Sequence, residues 1–374
     1  MIKTLIRKVA VKAVRVACNS PSVKNIISEF VLSKEKSNEF QFVEIDKNLA
    51  TELDAIPSQT TRGERRLLYH FFRSQWTGRG DVVEIGPFLG GTSRAIAMGM
   101  LENPRRESNS KLFTYDRFQD YFDLNSLKKY LAPLIDNMQL DQNDLEKLGE
   151  RARFIDIFKS VHENNTYYSC LQPSDHGVPD LPEEKDQGPW MVLPEGFKTD
   201  AIFIDGCKSW YGTKYFMQLM GPAARPGSIF IFQDFGWFTC FWLATFIEIF
   251  SDFFTLIGQV DNTYLFRLNT NISSQEIENN FPDSPISVGG MSLCKLLDSQ
   301  IEKAINRGDH YAALRHTLHK AGALAYVNDL NGARSSIRQA EAMPTANSHK
   351  SVIEMAWKSP TYTPSNPIHL GKIS

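Results

Sequence analysis

Asp81-Val-Val-Glu-Ile-Gly-Pro-Phe-Leu-Gly-Gly-Thr-Ser93 writes a buried strand, a glycine turn and a helix start into thirteen residues. Val82, Val83 and Ile85 form the β-branched run that a parallel strand buried on both faces needs. Gly86, Gly90 and Gly91 then remove side chains where the backbone has to turn tightly, and Thr92 or Ser93 can cap the helix that follows. A carboxylate at the end of such a strand, Glu84, beside a turn of free backbone N–H groups suits a ligand bearing hydroxyls, or an amine together with a carboxylate. The same turn also arises where a helix simply packs close to a sheet.

The glycine spacing sorts ligand classes. A dinucleotide fingerprint wants Gly-x-Gly-x-x-Gly with an acid about 20 positions on. Here the glycines read Gly-x-x-x-Gly-Gly and the next strand-end acid, Asp116, comes thirty-two positions after Glu84, which argues against a nicotinamide cofactor.

Working outward, strand and helix patterns alternate. Residues 60–76 carry Leu67, Leu68, Phe71 and Phe72 at helical spacing, beside the first strand. The second strand is expected over 111–116, after a helix near 92–102; helical stretches follow within 124–134 and 145–158. The third strand is expected over 167–171, ending near Asp175, before a Pro- and acid-rich loop at 172–196. Residues 199–206 read as a buried strand ending in Asp205. A helix over 210–220 is broken by Gly221-Pro222 and the Arg225-Pro-Gly227 turn. Residues 228–234 form the next buried strand, ending in Asp234. After a helix over 238–250, strands 253–260 and 263–268 meet at Asp261-Asn262 as a hairpin that closes the sheet. Right-handed crossovers put the carboxyl ends of parallel strands on one edge, so Glu84, Asp116, Asp175, Asp205 and Asp234 are expected to line one crevice.

Glu-x-Gly-x-x-x-Gly-Gly-Thr-Ser at 84–93, Phe203-Ile-Asp-Gly-Cys-Lys-Ser-Trp-Tyr211 and Phe232-Gln-Asp-Phe-Gly-Trp237 resemble the motifs of class I S-adenosylmethionine-dependent methyltransferases, in particular the macrocin-type O-methyltransferase branch. The resemblance covers about residues 60–268. It implies an α/β, Rossmann-like methyltransferase fold, a mostly parallel seven-stranded sheet with a terminal antiparallel hairpin. It also implies S-adenosylmethionine as cofactor. Glu84, Gly86, Gly90, Gly91 and Thr92 would lie under its methionine part, Asp116 would hold the ribose hydroxyls and Asp175 would lie near the adenine amine.

In that branch Ile-Asp-Gly-Asp-His-x-Tyr follows strand four and Asp-Asp-Tyr follows strand five, and these acids hold a magnesium ion that orients the substrate hydroxyl. Asp205 and Asp234 match, but Cys207-Lys208 stands at the second acid or His, and Gln233 replaces the first acid of the pair. Mg²⁺ prefers hard anionic oxygens; Asp205, Asp234 and Gln233 with a nearby ammonium make a poor cage. Lys208 can instead orient the acceptor or, if desolvation lowers its pKa, take the hydroxyl proton. The plainer reading is an ion pair with Asp205 or Asp234. Trp210, Tyr211, Phe235, Trp237 and Phe238 can wall an acceptor pocket, although aromatics at these spacings are more often core.

Composition fits a cytoplasmic enzyme. The 374 residues exceed one typical domain, and 42% hydrophobic with 22% charged residues is an ordinary globular balance. A formal net charge of −2 gives no electrostatic case for nucleic acid. Five scattered cysteines without Cys-x-x-Cys spacing read as free thiols. No run of 18 apolar residues suggests a spanning helix. Residues 1–17 place Ile2, Leu5, Ile6, Val9 and Ala13 on one helical face among Lys3, Arg7, Lys8, Lys12 and Arg15, a pattern that fits peripheral contact with an anionic membrane or a solvated basic helix.

The domain scheme is a basic amphipathic helix and lead-in at 1–59, a methyltransferase-like domain at 60–268, a polar linker at 269–290, a helical appendage for docking or homo-oligomerisation at 291–343, and a poorly ordered tail at 344–374. The activity expected is methyl transfer to a hydroxyl of a small molecule such as a sugar or secondary metabolite. The other reading is a non-catalytic binding or scaffold module in which the altered metal pattern records lost chemistry.

Overall fold

The computed structural model describes residues 47–117, 124–136, 151–364 and 366–371. The basic helix expected over 1–17 lies outside them, and so does the 145–150 part of the helix expected there. Two helices, α1 (Lys47–Leu53) and α2 (Arg62–His70), lead into the sheet. A reciprocal cap starts α2: the Thr61 hydroxyl accepts from Glu64 N–H and the Glu64 carboxylate accepts from Thr61 N–H.

Next come β1 (Asp81–Ile85), α3 (Gly91–Glu102), β2 (Leu112–Tyr115), α4 (Leu124–Asp136), α5 (Arg151–His162), β3 (Leu171–Ser174), β4 (Thr199–Ile204), α6 (Trp210–Ala223), β5 (Ala224–Phe232), α7 (Phe241–Ile249), β6 (Phe254–Val260) and β7 (Thr263–Leu268). The strands form one seven-stranded sheet in the order β3-β2-β1-β4-β5-β7-β6, parallel from β3 to β5 and closed by the antiparallel β6–β7 hairpin. This is the Rossmann-like order expected. All six residues of β4 are buried, because helices cover both faces; a continuous Ala-Ile-Phe-Ile run is what such a strand requires.

Several local expectations shift. Residues 166–170 form a 3₁₀ turn, and β3 begins only at Leu171, where Leu112↔Leu171 starts the parallel register. The turn is held by Tyr167, whose hydroxyl meets His162 Nδ1 at 2.9 Å and whose ring lies under the Arg94 guanidinium at 5.3 Å. Gly221-Pro222 does not break α6, which runs to Ala223. A proline in the last turn costs little further helix, and Gly221 lets Ile272 approach so closely that a Cβ would stand 3.0 Å from its side chain. The Arg225-Pro-Gly227 turn is a bulge at the start of β5, with Gly227 at φ +95°.

The stretch expected to be a linker is structured. It carries α8 (Ser274–Asn280) and α9 (Pro285–Val288). Phe281 is buried and stacks on Trp210 of α6 with centroids 4.2 Å apart and 11° between planes. Lys214, with its side chain only 2% exposed, sets its ammonium 2.5 Å from Asp283 and 3.1 Å from Glu278. Helices α10 (Gly290–Asn306), α11 (His310–Tyr326) and α12 (Leu330–Glu341) follow. Leu293, Leu297, Ile301 and Ala312 belong to the same core as the sheet and α7, so these helices close the fold.

The expected tail is likewise ordered at α13 (Lys350–Lys358), β8 (Thr361–Tyr362) and β9 (Pro367–Ile368). Thr361 is buried and donates to the Thr239 carbonyl at 2.9 Å, which pins this segment beside the loop after β5. Among the described residues no helix is long and apolar enough to cross a membrane.

Candidate active site

The chain runs β1 to β3 in one direction across the sheet and then returns to place β4 on the other side of β1. Ligands in open α/β sheets bind at such a reversal. At this point β1 and β4 part at two glycines. Asp205 N–H still donates to the Ile85 carbonyl at 2.9 Å, and one residue further Gly86 and Gly206 meet backbone to backbone. A Cβ on Gly86 would stand 2.7 Å from the Gly206 nitrogen, and Gly86 sits at φ +81°, so this floor must be bare backbone.

Beside it lies a charged cluster. Asp205 follows β4, Lys208 comes one turn later, and Gln233 and Asp234 follow β5. The Lys208 ammonium donates to Asp205 Oδ1 at 2.8 Å, to Gln233 Oε1 at 3.1 Å and to Asp234 Oδ2 at 2.5 Å. Asp234 adopts φ +61°, in the left-handed region, and its carbonyl accepts from Trp237 N–H at 2.9 Å. Burial alone would pull Lys208 down, but Asp205 and Asp234 more than reverse this and hold the ammonium well above the usual lysine range. This shift runs opposite to the one a lysine base would need, while the expected ion pair with Asp205 and Asp234 is present and 38% of the Lys208 side chain is still exposed. In Asp205 burial prevails instead. Burial, against the pull of Lys208 and with the repulsion of Asp234, raises its carboxyl above the ordinary range.

The glycine turn is built for packing as much as for a ligand. A Cβ on Gly90 would collide with the His162 ring, and one on Gly91 would stand 2.6 Å from Ser58 Cβ. Gly90 and Gly91 thus let α5 and the segment before α2 close on the turn. Glu84 does not face the crevice. It is 0% exposed, and its two oxygens accept from Thr92 Oγ1 and Ser93 Oγ at 2.5 Å each. The pleat points it at the start of α3, so Glu84 and Thr92 hold the turn in place and are not open to a ligand. Burial raises the Glu84 carboxyl to about 7 despite the hydrogen bonds from Ser93 and Thr92.

Asp116, at the end of β2, reaches across to the turn, where Phe88 N–H approaches Oδ2 at 3.4 Å. Asp175 follows β3 but lies at the rim, half exposed and paired with His176 at 3.3 Å. Of the five strand-end acids, Asp116, Asp205 and Asp234 thus stand close to the switch point, Asp175 stands at its margin and Glu84 is sealed beneath.

Three contributors were not singled out from sequence. Glu64, legible only as a capping-box partner, accepts from Thr263 Oγ1 at 2.9 Å and feels the charge of Asp234; burial raises its carboxyl. His162, under Gly90, is a buried neutral imidazole pushed down to about 3 by desolvation. Tyr362, from the C-terminal segment, brings its phenol 3.9 Å from Cys240 Sγ, and burial pushes that thiol up to about 12.

Magnesium does not fit this donor set. The oxygens of Asp205, Gln233 and Asp234 that would bind it converge on the Lys208 ammonium, and among the described residues no group of three His, Cys, Asp or Glu side chains is placed to hold a metal ion.

No protein-family model and no curated protein sequence matches the chain. Solved structures to which it is similar are O-methyltransferases and methyltransferases. The O-methyltransferase NovP is 14% identical over 64% of this chain and 95% of that one, with a TM-score of 0.37. The O-methyltransferase of Bacillus cereus in complex with SAH is 11% identical over 64% and 97%, with a TM-score of 0.35. The SAH-bound methyltransferase PaMTH1 of Podospora anserina is 13% identical over 67% and 97%, with a TM-score of 0.36. Similarity at this level adds nothing to the sheet order and the cluster at its switch point.

Proposed function

We propose that the protein transfers a methyl group from S-adenosylmethionine to a hydroxyl of a small molecule, without a divalent metal. The observation that carries this reading is the meeting of Asp205, Lys208, Gln233 and Asp234 beside the bare Gly86–Gly206 floor. Bound S-adenosylmethionine supplies an electrophilic methyl group; the chain has to hold donor and acceptor in line and remove one proton. Asp116 is the residue for the ribose hydroxyls, while Gly86 and Gly206 admit the donor close to backbone.

The proton falls to Asp205. Its raised pKa suits a general base near neutrality better than the strongly cationic Lys208 does. With that donor bound, the Asp205 carboxylate would take the proton of the acceptor hydroxyl as its oxygen accepts the methyl group. Lys208 fixes Asp205 and Asp234 and offers positive charge to the developing alkoxide. Glu84 and Thr92 act only as positioning residues under the turn.

Calorimetric titration of the full chain with S-adenosylhomocysteine tests the reading. Micromolar binding that is lost in Asp116→Ala supports it. No binding to the wild-type chain would sink it and leave the scaffold reading.

A further inference from the structure

The loop after β5 and the C-terminal segment form an open groove of about 510 Å³. Trp237 and Phe238 line it from the loop, and Met355, Lys358, Tyr362 and Pro364 line it from the C-terminal segment. That volume is within the usual range for a small-molecule site, roughly 300–1,000 Å³. The lining contains no carboxylate; Trp237, Phe238, Tyr362, Pro364 and Pro367 give it flat apolar surface, interrupted by Thr239, Ser359, Thr363 and Asn366. Flat aromatic and proline surface of this kind takes a planar ring by stacking.

The groove shares the loop after β5 with the cluster already described. Trp237 follows Asp234 in one turn and hydrogen-bonds its carbonyl. The Arg315 guanidinium lies 5.7 Å from the Trp237 ring and steadies that wall. Tyr362 lines the groove and reaches Cys240, near enough to Lys208 and Asp234 for its phenol to feel both charges.

Resting on the methyl-transfer reading, we propose that this groove is the acceptor subsite and that it takes a planar aromatic compound, presenting a ring hydroxyl toward Lys208 and Asp205. On this assignment the last helix and strand pair are a wall of the active site.

The test uses the full chain and 2-naphthol as probe, with Met355→Trp to fill the groove from an exposed position on α13. Calorimetry is expected to show 2-naphthol binding to the wild type and at least about tenfold weaker binding to the variant, with S-adenosylhomocysteine affinity and melting temperature unchanged. Failure of 2-naphthol to bind the wild type, or equal affinity in the two proteins, overturns the subsite. Loss of S-adenosylhomocysteine binding in the wild type would instead overturn the methyl-donor reading, and the two failures are read in separate titrations.

Discussion

Lys208 holds Asp205 and Asp234 together across the gap between β4 and β5, with its ammonium 2.8 Å from one carboxylate and 2.5 Å from the other. Two carboxylates this close to one cation leave the cluster with one net negative charge. That arrangement keeps Lys208 protonated and makes Asp205 the group that changes state in the useful range. Lys208→Met is therefore expected to lower turnover at least ~100-fold while leaving S-adenosylhomocysteine binding unchanged, measured by single-turnover methyl transfer and calorimetry. Unchanged turnover would remove Lys208 from the chemistry.

The same pair fixes the pH profile. Asp205 acts as its anion and titrates above the usual carboxylate range, so kcat/KM should fall as pH drops through that raised pKa. Asp205→Asn should erase the acid limb together with most of the activity. An acid limb that survives in the residual activity of Asp205→Asn would assign the titration to another group.

Glu84 makes an independent prediction about stability. It titrates at about 7 in the folded chain against 4.5 when unperturbed, because burial opposes its charge. The folded state thus binds a proton that the unfolded state has released between those values. The contribution is fully present below 4.5 and is lost as pH rises toward 7, amounting to about 3 kcal/mol at most. Glu84→Gln should flatten the decline of melting temperature between pH 5 and 7.5. An equally steep decline in the variant would mean that Glu84 is not the group responsible.

How much of this was legible in the sequence depends on where the ordering force lies. β1 and β4 read clearly because a strand covered on both faces must be a continuous β-branched or aromatic run, as in Val82-Val83 and Ala201-Ile-Phe-Ile204. The side toward which Glu84 points did not, since in such a strand both faces are interior and only the hydroxyls of Thr92 and Ser93 show which one can take a carboxylate. Residues 269–290 and 344–374 have the polar, proline-containing composition of loops; their order comes from a few long-range contacts, Phe281 on Trp210 and Thr361 on Thr239, that no local pattern encodes. The sign of the Lys208 shift was unreadable for a related reason. It is set by distances to two carboxylates from different strands, and residue type alone leaves desolvation and ion pairing in balance.

Gly90 separates the packing reading of the turn from a purely ligand-binding one. It sits at φ +89°, and a Cβ there would collide with His162. Gly90→Ala should cost at least about 2 kcal/mol in chemical denaturation, from left-handed strain plus the collision. Adding His162→Ala removes the collision, so alanine at position 90 should cost less in that background than in the wild type. An identical cost in both backgrounds would show that the ring does not set the requirement for glycine.

The contact between Phe281 and Trp210 tests whether the segment after the hairpin is part of the fold. Phe281 is fully buried, stacks on Trp210 and also meets Phe246 of α7 edge-on at 5.2 Å, so it joins α6, α7 and the segment after α8. Truncation leaves a cavity that three elements cannot collapse together to fill. Phe281→Ala is expected to lower stability by about 3 to 4 kcal/mol in denaturant unfolding. Trp210 also donates its indole N–H to the Pro282 carbonyl at 2.6 Å, so loosening the segment should change the near-ultraviolet circular dichroism of that indole before the global transition. A loss under about 0.5 kcal/mol, typical of a surface position, would mean that residues 269–290 are dispensable to the core.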